Sequence, residues 1–112
     1  MTEQTDHELI ELAAKAYGEI PIPLVWIRPF DNELTPINNR GEPWNPLNDD
    51  GDALRLAVKL RMCVEPWGCG ASAVVFINNR ALVAEPHYGD DPERATRRAI
   101  TRAAAEIGKE MP

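Results

Sequence analysis

No stretch of this chain is long and apolar enough to cross a bilayer. The longest apolar run, residues 73–77, falls far short of the ~20 residues a helical span needs. The opening Met1-Thr2-Glu3-Gln4-Thr5-Asp6 has neither a basic start nor an apolar core, so no secretory signal is expected and the cytosol is the expected compartment. Cysteine and histidine are scarce, at two each. Cys63 and Cys69 have five residues between them, whereas structural zinc sites pair cysteines two to four residues apart and need four ligands, so no metal is expected even with His87 as a third donor. A disulfide across that short loop is disfavoured in a reducing cytosol, which leaves buried or half-buried thiols.

The machinery of common enzymes is missing too. Gly68-Cys69-Gly70 precedes a strand candidate, whereas a phosphate-binding loop opens a helix. Neither Ser nor Cys stands in a nucleophile turn, and Ser72 lies inside a strand candidate. The nearest imitation of an acid–base cluster is His87 with Tyr88, Asp90 and Asp91, read as a loop after a strand; a hydrolase would need a pocket gathering these groups. No cofactor and no catalytic residue are expected. A basic excess is also lacking: 12 Lys and Arg face 18 Asp and Glu, a net charge of −6, which repels bulk nucleic acid. The imbalance is local, with 11 acids against 3 bases in residues 1–52 and 7 against 9 in residues 53–112.

At 112 residues, with 44% hydrophobic and 27% charged content, the chain suits one globular domain spanning residues 1–112. Thr5 and Glu8 have capping-box spacing ahead of a helix over residues 6–17, with Leu9, Leu12, Ala13 and Ala16 as its buried stripe and Gly18 as its left-handed cap. Pro21 and Pro23 exclude a helix, and Leu24-Val25-Trp26-Ile27 reads as a short strand stopped by Pro29. Residues 30–48, rich in Pro and Asn and with Gly41 among them, read as a loop, part of which packs down through Ile37, Trp44 and Leu47.

Asp49 or Asp50 then caps a second helix over residues 51–61, with Ala53, Leu54, Ala57, Val58 and Leu60 turned inward. Residues 71–77 and 80–85 read as a hairpin joined by Asn78-Asn79. The unbroken apolar Val74 to Ile77 predicts a strand covered on both faces. Asp91 caps a last helix, with Pro92 in its first turn, ending near Gly108 and burying Ala95, Ala99, Ile100, Ala103 and Ile107. These elements predict an α+β fold, an α/β/α sandwich of three helices around a small, mostly antiparallel sheet.

The amphipathic first helix, the Trp44-x-Pro46-Leu47 turn, the Asp-rich entry to Ala53-Leu54-Arg55-Leu56-Ala57 and the terminal helix from Ala95-Thr96-Arg97-Arg98 through Glu106-Ile107-Gly108 together resemble the phage α-β-α sandwich domain. That family groups uncharacterised proteins of tailed phages and prophages, and the likeness covers most of the chain; the stretch from Cys63 to Cys69 does not match it. The resemblance implies a sandwich fold and a phage or prophage protein working in the bacterial host cytoplasm. It carries over no catalytic residues, because the family has no established activity.

Three constellations have a functional reading beside a structural one. Asp49, Asp50 and Asp52 can bind a cation, but Gly51 comes too early for a calcium loop and apolar residues follow, so helix capping is preferred. Arg94, Arg98 and Arg102, with Arg97 beside them, form a basic stripe that is the only nucleic-acid face in sight. It lacks interleaved aromatics, and Glu106 and Glu93 are available to Arg102 and Arg97 as ion-pair partners. Trp44 and Trp67, in proline- and glycine-rich loops, either plug the ends of the fold or anchor a partner, with His87 and Tyr88 as further contact candidates. The expected function is non-enzymatic protein binding, to a host or phage protein or to a second copy, with nucleic-acid binding through the arginine face as the alternative.

Overall fold

Local chemistry fixes the ends of the helices. The computed structural model of the protein describes residues 5–18, 25–27, 35–37, 42–65, 72–77, 80–86 and 91–111. Helix α1 (Asp6–Tyr17) starts where the Thr5 hydroxyl accepts the Glu8 N–H at 3.1 Å, and ends where Gly18 takes φ 80° and donates its N–H to the Ala14 carbonyl. Helix α2 (Asp50–Lys59) is capped by Asp49, which accepts the Asp52 N–H at 2.8 Å. Helix α3 (Pro92–Lys109) is capped by Asp91, with Pro92 at a position whose missing N–H costs no intrahelical bond.

Among the described residues, five short strands accompany the helices: β1 (Val25–Ile27), β2 (Thr35–Ile37), β3 (Cys63–Glu65), β4 (Ser72–Ile77) and β5 (Arg80–Pro86). β1 and β2 form an antiparallel pair; β3, β4 and β5 form an antiparallel sheet in that order, with an irregularity at Val75/Phe76. The described residues thus form a mixed α and β fold of three helices and short antiparallel strands. The hairpin strands agree with the sequence expectation to within a residue at each end, and the Asn78-Asn79 turn lies outside the described residues.

Two strands depart from that expectation. β2 lies inside the segment read as a loop, and Pro36 at its centre is why it was illegible: proline cannot donate to a ladder. Here it does not need to. Pro36 sits opposite Trp26, while Thr35 and Ile37 flank it in the β1 register; its carbonyl faces the other way and accepts the Trp44 N–H at 2.8 Å. β3, at the edge of its sheet, starts at Cys63, whose thiol is expected from the sequence to be buried or half-buried. Alternation along the strand sends Val64 toward the core and leaves Cys63 exposed.

α3 is the central support, packing against α1, α2, β4 and β5. α1 and α3 run in the same direction: Arg98 reaches Asp6 near the start of α1, Gly108 lies against Leu12, and Lys15 donates to the Met111 carbonyl at 2.9 Å. Ala13 and Ala14 on α1 and Ala104 and Ala105 on α3 are fully buried, small residues that let the two backbones approach closely. Val75 of β4 closes the core from the sheet side. The α1 stripe is rotated from the expected one, with Ile10 and Ala14 buried and Leu12 and Ala16 only half-buried; in α3, Ile107 is likewise half-buried. No described helix is long and apolar enough to cross a membrane.

Candidate interaction surface

The turn before α2 is built by one asparagine. The Asn45 side-chain oxygen accepts the Leu47 N–H at 3.0 Å, and its carbonyl accepts the N–H groups of Asn48 and Asp49 at 3.1 and 2.9 Å. Its own N–H donates to Asp52 Oδ2 at 2.9 Å. Asp52, only 7% exposed, uses its other oxygen to accept from Arg55 Nη2 at 2.7 Å. That hydrogen bond, outweighing the opposing desolvation, pushes the Arg55 guanidinium above its ordinary value. The three aspartates thus serve the start of α2: Asp49 caps it, Asp52 fastens the turn to it, and Asp50 pairs with Arg97.

Arg97 closes the arrangement from α3. With its side chain 18% exposed, it donates Nε–H to the Leu47 carbonyl at 2.9 Å and Nη1–H to Asp50 Oδ1 at 2.6 Å. The partner expected from spacing, Glu93, is not the one it takes here. Arg98, also on the basic stripe, reaches Asp6 Oδ1 at 3.1 Å, and Glu106, expected opposite Arg102, forms an ion pair with Lys109 at 3.0 Å. Of the four arginines, Arg94 and Arg102 are the exposed ones. Both acidic anchors come from the acid-rich first half of the chain, so the uneven charge of the two halves is used within the fold.

Trp44 is 3% exposed and stacks on Tyr17 with ring centroids 5.7 Å apart. A buried indole offers no surface to a partner, so of its two readings the plug prevails. Its Nε1 is buried without a hydrogen-bond acceptor among the described residues. Trp26 is half-buried and stacks on His7 at 4.3 Å, fastening β1 to the start of α1. Trp67, Cys69, His87 and Tyr88 lie outside the described residues. Among the described residues, no three His, Cys, Asp or Glu side chains are grouped to hold a metal ion.

The outward face of α2 is where sequence reasoning went wrong. Leu54 and Val58, expected to point inward, are 63% and 69% exposed, while Asp52, Ala53, Leu56 and Ala57 are buried. The sequence offers two apolar stripes on this helix, and the inner one is selected by what holds its first turn. Binding Asn45 and Arg55 requires Asp52 to face inward, which fixes the rotation of the helix and turns Leu54 and Val58 out. They stand one turn apart on one face, with Asp50 before them and Arg61 after, both exposed. Arg61 has φ 56°, closing the helix through the Arg61 N–H to Val58 and the Met62 N–H to Ala57, the two bonds of a Schellman motif. No family model, curated protein or solved structure matches the chain.

Proposed function

We propose that this protein is a non-enzymatic accessory protein of a phage or prophage, working in the bacterial host cytoplasm by binding another protein or a second copy of itself. The observation that carries the reading is the pair Leu54 and Val58, two large apolar side chains exposed on one helical face. Exposed apolar groups scattered singly are ordinary, whereas grouped ones mark contact surfaces. The phage assignment rests on the likeness of the Trp44-x-Pro46-Leu47 turn and the two flanking helices to the phage α-β-α sandwich domain. The finer architecture that goes with it is an α/β/α sandwich, in which α3, packed on β4 and β5, forms one helical layer.

The polar groups that looked chemical support the same reading. Asp49, Asp50 and Asp52 are engaged in capping and fastening, and Arg97 and Arg98 bind carboxylates of the same chain. This leaves less of the basic stripe for phosphates, so nucleic-acid binding is the weaker alternative. The test is capture from bacterial lysate with wild-type protein and with Leu54→Asp, alongside light scattering. A stoichiometric partner or a dimer lost in the variant supports the proposal; a monomer that captures nothing, yet shifts DNA in low salt, contradicts it.

A further inference from the structure

We infer that α2 is a self-pairing helix, laid antiparallel against α2 of a second copy across a two-fold axis. The inference rests on the protein-contact reading above and names its surface and occupant. A two-fold interface must complement itself when reversed, and the exposed stripe of α2 has that property. It runs from an acid, Asp50, through Leu54 and Val58, and an exposed base, Arg61, follows just past the end of the helix. Reversing a second copy with the axis near the middle of the helix sets Leu54 against Val58 of the second copy, and brings its Arg61 to Asp50, whose side chain stays 76% exposed while it holds Arg97. At 1.5 Å rise per residue the stripe is ~16 Å long, so both end contacts form together in one register.

Three further features favour a second copy over an unrelated partner. The helix termini reinforce the match, since antiparallel packing places the negative end of one helix dipole beside the positive end of the other. Arg55, the cation nearest Leu54, is held along its own helix by Asp52 and Asp49, so its charge is compensated beside the apolar pair. Parallel packing, by contrast, would set Asp50 against Asp50 and Arg61 against Arg61. The surface is small and each chain carries −6, so the association is weak, in the range of transient contacts.

Sedimentation velocity of the full chain from about 10 μM to about 1 mM, the span in which small interfaces associate, tests the inference. The expected result is a mass rising from one chain toward two. Val58→Glu, which buries a charge between the helices, weakens association at least about tenfold. Arg61→Glu weakens it severalfold and Arg61→Lys retains it, which a non-specific apolar contact would not require. Circular dichroism confirms that these exposed-site variants keep the wild-type fold. A dimer indifferent to Val58→Glu and Arg61→Glu overturns the inference while leaving the protein-contact reading in place. A chain monomeric at about 1 mM that captures a different protein, in a Val58-dependent manner, overturns the second copy as occupant but upholds that reading. A monomer that captures nothing overturns both.

Discussion

Gly108 of α3 lies backbone to backbone against Leu12 of α1: a Cβ at Gly108 would overlap the Leu12 carbonyl oxygen and stand 2.9 Å from its carbon. The two helices are therefore as close as their main chains permit at this point. In an isolated helix, Gly→Ala is worth about 1 kcal/mol of added stability. Here we predict the opposite sign, with Gly108→Ala destabilising by about 1–3 kcal/mol as the helices are forced apart. Urea unfolding checks it, and a stabilised variant would mean that the helices do not meet at Gly108.

Arg97 joins α3 to both the Trp44 turn and the first residue of α2, and its two bonds are unequal in shelter. Asp50 is well exposed, so Asp50→Asn is predicted to cost no more than about 1 kcal/mol. Arg97→Ala removes the donor to the Leu47 carbonyl as well and is predicted to cost about 1.5–3 kcal/mol. Arg97→Lys recovers less than half, because a single ammonium does not reproduce the two directed donors. Equal losses for Asp50→Asn and Arg97→Ala in urea titrations would show the bond to Leu47 to be worthless.

The same helix start separates two aspartates of similar appearance. Asp49→Ala removes a cap, worth about 1 kcal/mol. Asp52→Ala leaves the half-buried Asn45 N–H without its acceptor and removes the shorter of the carboxylate contacts of the exposed Arg55, for about 1–3 kcal/mol. The ordering Asp52 above Asp49 is the prediction, read from thermal midpoints of the two variants.

At the other end of α2, Arg61 carries the left-handed conformation that glycine adopts without steric penalty. Arg61→Gly is predicted to stabilise the fold by about 0.5–1 kcal/mol while removing the charge used in self-pairing. A higher melting temperature with weaker association is the combination expected. A lower melting temperature would count against the φ assigned to Arg61.

Much of this fold could be read where the signal is local. Thr5 with Glu8, Gly18, and Asp91 with Pro92 each mark a helix end through one side chain or one permitted backbone angle, and all three lie where their chemistry predicts. What depended on distant partners could not be read. Pro36 argued against a strand because a sequence does not reveal which side of a ladder a residue faces. Helical spacing groups Leu54 and Val58 with Ala53 and Ala57 and does not say which apolar stripe faces the core. The deciding residue was Asp52, whose burial is stabilised by Asn45 and Arg55 across the turn. Arg97 was paired with the nearest acid on its own helix, while the structure takes Asp50, 47 residues away.

Residue-resolved NMR of a dilution series is the most direct test of the central claim, that this chain works through contact made by the outward face of α2. As concentration rises, the account predicts shifts at Asp50, Leu54, Val58 and Arg61, with Ala53 and Leu56 on the buried side changing less. Shifts confined to other elements would contradict it, and a spectrum that does not change up to about 1 mM, with no Val58-dependent capture of another protein, would contradict it as well.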